Sequence, residues 1–301
     1  MLSIKKYAAI DIGSNAVRLL ISNIIEQKGK PVQFRKNSLV RVPIRLGADV
    51  FLNQKISKEN TQRILDTMLA FKLLMKSHKV VKYKACATSA MRESSNGRKV
   101  VDLVAQNAGI NIDVIDGEEE AAIIAATDLN KFIDPNKTYL YVDVGGGSTE
   151  FTVIHLGNQV ASRSFKIGTV RLLNDMVQKE SWKELEEWIT TYAKPYEKIA
   201  LLGSGGNINK IFKVSGKQLG KPLSYFYLTS YFNVLQSYSY EERITELELN
   251  QDRADVIIPA MRIYLSAMKW SGAKYIFVPK IGLADGIIKS IYYDTVSSNT
   301  Q

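Results

Sequence analysis

Two stretches of this sequence end an apolar run on an aspartate and follow it at once with glycine and small polar residues. One is Tyr7-Ala-Ala-Ile-Asp11-Ile-Gly13-Ser14-Asn15-Ala-Val-Arg18-Leu-Leu-Ile21. The second half repeats the plan as Leu140-Tyr-Val-Asp143-Val-Gly145-Gly146-Gly147-Ser148-Thr149-Glu150-Phe-Thr-Val-Ile154. Each reads as a β-hairpin whose glycines permit a tight turn and close backbone approach. Successive N–H groups in such a turn form a nest for anions. A carboxylate at the strand end lies beside that nest, where it can hold Mg²⁺ directly or through water. Either copy alone reads best as an ordinary hairpin. Two copies, each with its strand-terminal aspartate, point to a phosphate site.

Carboxylates extend the pattern. Val114-Ile-Asp116-Gly117-Glu118-Glu119-Glu120-Ala-Ala-Ile-Ile opens a helix with three glutamates. Acids suit a helix N-terminus, and Asp116 with Glu119 has the spacing of a capping box. Glu118 reads as solvated, which leaves Glu120 without a structural task. At a domain junction it could deprotonate a water for attack on phosphorus. Glu150 follows the triple-glycine turn and can return to the same phosphate. Asp11, Asp143, Glu120 and Glu150 would repel a phosphate chain unless Mg²⁺ lay among them to neutralise both sides.

The elements that position these groups alternate strand and helix. Ser57 to His78 has helical apolar spacing behind a serine N-cap, and Val80 to Ala90 reads as a strand. Asp113 to Asp116 is a short strand. Ser181-x-x-Glu184 is read as a capping box opening a helix, and Lys198 to Leu202 as a strand entering Gly203-Ser-Gly-Gly-Asn207. A helix is expected from Ala254 to Trp270, bent or started near Pro259, then a strand at Tyr275 to Val278 and a last helix from Ala284. The duplicated hairpins imply two related α/β domains facing across a cleft. Their expected limits are 1–124 and 125–283, with a terminal helix 284–301 packing back on the first.

Composition narrows the class. In 301 residues, 46% hydrophobic and 23% charged, the balance is globular. One cysteine and two histidines exclude a disulfide framework and a Cys- or His-rich metal centre. No run is long enough to span a bilayer, and the N-terminus has no signal-like block. The expectation is a soluble cytoplasmic protein with no membrane partner. Lys and Arg number 40 against 30 acids, for a net charge of +10, which favours an anionic ligand. The surplus is spread along the chain without a basic block, so no nucleic-acid partner is expected. Cys86 reads as a core thiol, and the tyrosines between Tyr225 and Tyr240 as packing.

With these motifs in place, the sequence resembles the exopolyphosphatase/guanosine pentaphosphate phosphohydrolase family of the actin-like, sugar-kinase-like and Hsp70-like ATPase superfamily. The resemblance runs through Ile10-Asp-Ile-Gly-Ser-Asn15 with Arg18, Arg45-Leu-Gly47, and Ala87-Thr-Ser-Ala-Met-Arg92. It continues through Gly117-Glu-Glu-Glu-Ala121, Val142 to Glu150, Ile167-Gly-Thr-Val-Arg171 and Arg253-Ala-Asp-Val256. It implies two ribonuclease-H-like domains, each a mixed sheet with helices. The implied activity is Mg²⁺-assisted hydrolysis of terminal phosphoanhydride bonds of inorganic polyphosphate, or alternatively of guanosine pentaphosphate. The family's catalytic glutamate falls on Glu120, and its acidic phosphate-motif residues on Asp143, Glu150 and Asp11. Gly13, Ser14, Asn15 and Gly145 to Ser148 would hold phosphate through the backbone. Arg18, Arg45, Arg92 and Arg171 are candidate clamps, since a guanidinium can bind two oxygens.

Longer members carry a helical His-Asp-type domain that is expected to be lacking here. The family's Gly-Leu-Arg-Glu-Gly stands as Gly282-Leu-Ala-Asp-Gly286. Gly203 to Asn207 lies where superfamily kinases contact a nucleotide, and whether it takes a base stays open, as does a homodimer. A non-catalytic alarmone sensor is the reading from outside the enzymes.

Overall fold

The computed structural model describes residues 2–125, 127 and 134–298. The chain forms two compact units, 1–127 with 283–301, and 128–282. The first is built on an antiparallel meander of β1 (Leu2–Ile12), β2 (Val17–Gln27) and β3 (Gln33–Val42). β4 (Lys82–Ala87) and β5 (Ile112–Val114) extend it in parallel, giving the order β3-β2-β1-β4-β5. From Tyr7 to Ile12 every residue of β1 is buried, the pattern of a strand covered on both faces. α13 (Leu283–Ser298) lies against β1, β2 and β4. Ion pairing of Lys36 with Asp285 at 2.8 Å and an edge-on contact of Phe34 with Tyr292 fasten it to β3.

The remaining helices of this unit are α1 (Leu46–Asn53), α2 (Lys58–Ser77), α3 (Ser89–Glu93), α4 (Gly97–Ala108) and α5 (Gly117–Ala125). α2 is capped as expected: the Ser57 hydroxyl accepts the Asn60 N–H at 3.1 Å. The strand expected over Val80 to Ala90 is shorter, because Ser89 and Ala90 already belong to α3.

The second unit repeats the plan with β6 (Thr138–Val144), β7 (Thr149–His155) and β8 (Asn158–Phe165) as its meander. β9 (Ala200–Ser204) runs parallel to β6, and β11 (Tyr275–Phe277) parallel to β9. β10 (Leu223–Ser224) closes the order β10-β11-β9-β6-β7-β8. Around this sheet lie α6 (Thr169–Leu173), α7 (Lys179–Tyr192), α8 (Gly206–Val214), α9 (Tyr225–Ser237), α10 (Tyr240–Thr245), α11 (Gln251–Ala254) and α12 (Ile257–Ser271). Phe151, Phe165 and Trp188 pack edge to face in its core. Two sheets that share a five-strand order, the second extended by β10, each with helices, are the α/β architecture expected.

Two local expectations are corrected. α7 begins after Gln178, so Ser181 lies inside the helix instead of capping it. The partner that capping would need, Glu184, is engaged by Arg163 of β8. The helix expected from Ala254 is two: α11 ends at Ala254, and α12 starts at Ile257 with Pro259 in its first turn, where proline's missing N–H costs nothing.

Candidate functional site

Each meander closes its first hairpin with the same four-residue turn. Gly13 N–H donates to the Ala16 carbonyl at 3.1 Å, and Gly145 N–H to the Ser148 carbonyl at 3.0 Å. In both units the chain then runs through the third strand into a helix that docks on this turn. Leaving β3, the N–H of Gly47 reaches the Ser14 carbonyl at 2.7 Å, and that of Arg45 the Asn15 carbonyl at 3.0 Å. Leaving β8, Thr169 N–H reaches the Gly145 carbonyl at 3.0 Å and Val170 N–H the Gly146 carbonyl at 2.9 Å, while Arg171 Nε takes the Gly147 carbonyl at 2.7 Å. A trans peptide directs its N–H opposite to its C=O. Carbonyls held toward the docking helix therefore turn the N–H groups of Asn15 and Ala16, and of Gly146, Gly147 and Ser148, away from it. That is an anion-binding arrangement of backbone amides.

Close docking depends on glycine. A Cβ on Gly168 would lie 2.3 Å from the Gly146 carbonyl oxygen, inside any permissible contact. Gly47, the second residue of α1, is less tightly held, with the Phe51 ring edge 2.8 Å from such a Cβ.

The acids expected from the sequence occupy matching positions. In the first hairpin, Asp11 stands opposite Arg18. Asp11 is 4% exposed, and its Oδ2 accepts from Arg18 Nη1 at 2.7 Å. In the second, Asp143 stands opposite Glu150, so two carboxylates share one row. Glu150 is 2% exposed, and its Oε1 accepts from the hydroxyls of Ser148 at 2.7 Å and Ser164 at 2.9 Å. Asp143 is half-buried. Tyr141 donates to its Oδ2 across a long 3.5 Å, and Tyr264 donates to the carbonyl of Ser204, the residue registered with Asp143 on β9. Burial first, then the Asp143 carboxylate, hold both tyrosine hydroxyls well above the ordinary range, so they remain protonated donors.

Glu120 lies in the first turn of α5. Asp116 caps that helix, accepting the Glu119 N–H at 2.8 Å. Glu118 and Glu119 are exposed, whereas Glu120 is half-buried with its Oε2 out of solvent contact. Arg92 Nη1 donates to the Ile115 carbonyl at 2.5 Å, tying α3 to the chain that leads into α5. Arg45 stands just before α1 with a positive φ of 63°, a strained conformation for a side-chain-bearing residue. The Ser14 hydroxyl is paired with that of Ser89 at 2.9 Å, leaving the turn's backbone as its anion-facing part. Arg171 is 8% exposed, and its Nε supports the turn. Cys86 is buried, and burial pushes its thiol up to about 12, against a small opposing pull from Lys84.

Among the described residues, no three His, Cys, Asp or Glu side chains are grouped closely enough to cage an ion. Mg²⁺ does not need such a cage: it commonly takes one or two carboxylates, with waters and substrate phosphates completing its octahedron. Asp143 and Glu150 fit that donor set. Facing like charges disfavour one another, which a cation held between the two would relieve. Asp11, the corresponding strand-end carboxylate, is paired with Arg18. Sequence reasoning missed Ser164, Tyr141 and Tyr264, whose hydroxyls are oriented by pairing across strands and by α12 packing rather than by any local motif.

A sequence model described as the Ppx/GppA phosphatase family matches residues 38–293. The chain is 31% identical over 167 residues to the guanosine-5'-triphosphate,3'-diphosphate pyrophosphatase of Aliivibrio fischeri, covering 56% of this chain and 32% of that protein. It is 29% identical over 176 residues to exopolyphosphatase 2 of Mycobacterium tuberculosis, covering 57% and 54%. The match thus spans about a third to a half of the length of these curated relatives. A crystal structure of the Aquifex aeolicus Ppx/GppA family member superposes with a TM-score of 0.76 at 24% identity, over 97% of this chain and 99% of that one. This is a likeness of fold.

Proposed function

The chain belongs to the Ppx/GppA phosphatase family, and from that premise we propose that it is an exopolyphosphatase that releases orthophosphate from the ends of inorganic polyphosphate. The observation that carries this reading is the facing pair Asp143 and Glu150, next to a turn whose amides are directed outward. Amides of Gly146, Gly147 and Ser148 bind phosphate oxygens in the second unit, and those of Asn15 and Ala16 offer the same kind of grip in the first. Asp11 orients Arg18, whose guanidinium offsets chain charge. Arg45 and Arg92 add positive charge, while Arg171 keeps the triple-glycine turn in shape.

Asp143 and Glu150 are the residues that would hold Mg²⁺, which when bound offsets the charge on phosphate oxygens and polarises the P–O bond under attack. Glu120 takes the proton from the attacking water as its oxygen bonds to phosphorus. The phosphoanhydride P–O bond breaks, and the shortened polyphosphate leaves with the electron pair. A half-buried carboxylate at a capped helix start suits this task, because the cap fixes the backbone that carries it.

A second reading, hydrolysis of the 5′-terminal phosphate of guanosine pentaphosphate, is favoured by the A. fischeri relative. It uses the same groups on a different phosphate chain. Both are tested by orthophosphate release from long-chain polyphosphate and from guanosine pentaphosphate at equal concentration, with and without Mg²⁺. The expected result is Mg²⁺-dependent release chiefly from polyphosphate, lowered at least about 100-fold in Glu120→Ala. Release chiefly from guanosine pentaphosphate would select the second reading. Tight binding of either without release would make the chain a sensor.

A further inference from the structure

We propose that Ser164, on the outer strand β8, is a positioning residue that sets the orientation of Glu150 in the carboxylate pair. The proposal rests on the reading of that pair as a divalent-cation site. Asp143, Glu150 and Ser164 lie in one row across β6, β7 and β8. Glu150 is buried at 2% exposure, and the hydroxyls of Ser148 and Ser164 both converge on its Oε1, at 2.7 and 2.9 Å. Oε1 is thus held from the turn and from β8, while Asp143 faces Glu150 from β6 on the other side. A glutamate has three side-chain torsions to freeze. Ser148 alone, in the turn, anchors Glu150 from one direction, and Ser164 supplies the second from a regular strand.

A β-bulge brings this serine into place. Counted back from the His155–Asn158 pair that closes the β7–β8 turn, Glu150 would face Arg163. The register shift between Val153 and Ile154 moves the pairing by one residue, so that Glu150 faces Ser164. Arg163 is thereby paired with Phe151 in the register, and its guanidinium meets Glu184 and the Phe165 ring. The bulge sets a hydroxyl that donates to Glu150, in place of a guanidinium, at the facing position. Bulges commonly re-aim side chains beside active sites in this way.

The test is Mn²⁺ binding by calorimetry to the full chain, without substrate, for the wild type, Ser164→Ala, Ser164→Thr and Glu150→Gln. Loss of a hydrogen bond to a metal ligand commonly weakens metal binding by at least about tenfold. Ser164→Ala is therefore expected to raise the dissociation constant about tenfold with a melting temperature within about 3 °C of wild type. Ser164→Thr, which keeps the hydroxyl, is expected within about twofold of wild type. In turnover, Ser164→Ala should shift the Mg²⁺ concentration for half-maximal rate while leaving kcat at saturating Mg²⁺ near wild type. Should the alanine variant not fold, Ser164→Cys, close in size with a weaker donor, carries the same expectation in direction. Wild-type affinity in Ser164→Ala overturns the positioning role and leaves the cation site standing. No Mn²⁺ binding by the wild type, or undiminished binding by Glu150→Gln, overturns the cation site and the proposal with it.

Discussion

The two hairpins of this protein are built alike and charged differently. Each has an aspartate at the end of its first strand, a turn closed by a glycine N–H, and a following helix that holds the turn's carbonyls. Across from the aspartate, the first hairpin carries Arg18 and the second Glu150. The first pair neutralises itself at 2.7 Å. The second sets two carboxylates in one row and supports the buried one with serine hydroxyls. One change of residue type at a fixed register position thus separates an aspartate paired with arginine from the pair of facing acids proposed to hold a cation.

The comparison can be broken most forcefully in the second hairpin. Glu150→Gln keeps the shape and removes one of the two facing charges. Its phosphate release is expected to fall by about 100-fold or more, while its melting temperature in the absence of Mg²⁺ rises by a few degrees, about the worth of one relieved like-charge contact. Parallel thermal melts and phosphate-release assays measure both. A variant that loses stability together with activity would mean that Glu150 serves the fold.

The docking of turn on helix gives the next largest effect. Gly168→Ala forces a Cβ to within 2.3 Å of a backbone oxygen that cannot move without the turn. A loss of about 2 kcal/mol or more is expected, with weakened phosphate binding. Gly47→Ala meets a ring edge at 2.8 Å and the Ser14 Cβ at 3.1 Å. Because a ring can tilt, about 1 kcal/mol is expected there. Denaturant titrations of the two variants, compared directly, check the order.

The last test falls on the first pair. Arg18→Gln leaves the Asp11 carboxylate buried without its guanidinium. Arg18 is itself a third exposed, so water screens part of the change, and about 1–2 kcal/mol is expected, opposite in sign to the apo effect of Glu150→Gln. A stabilised Arg18→Gln would remove the contrast between the hairpins.

Much of this was legible in the sequence because it is local. Glycine turns announce themselves by composition, and the repeat of Asp-x-Gly exposed the duplication of the sheets. Capping arithmetic separated Glu120 from Glu119, and the structure has Glu119 exposed and Glu120 half-buried. What stayed hidden depends on register or on distant packing. The bulge between Val153 and Ile154 decides whether Glu150 meets Arg163 or Ser164, and nothing in the residues around it marks a one-residue shift. Tyr264 reaches the end of β9 from α12, sixty residues away. Arg171, grouped with the candidate clamps through the family resemblance and guanidinium chemistry, sends its Nε to the turn. The start of α7 escaped because Glu184, needed for the apparent capping box, pairs with Arg163.

The most direct test of the central contrast is the response of the melting temperature to Mg²⁺ in the wild type, Glu150→Gln and Arg18→Gln. A cation that binds only the folded chain raises its stability by mass action. A Mg²⁺-dependent rise is expected in the wild type and in Arg18→Gln, and none in Glu150→Gln. An undiminished rise in Glu150→Gln, or its loss in Arg18→Gln alone, would contradict it.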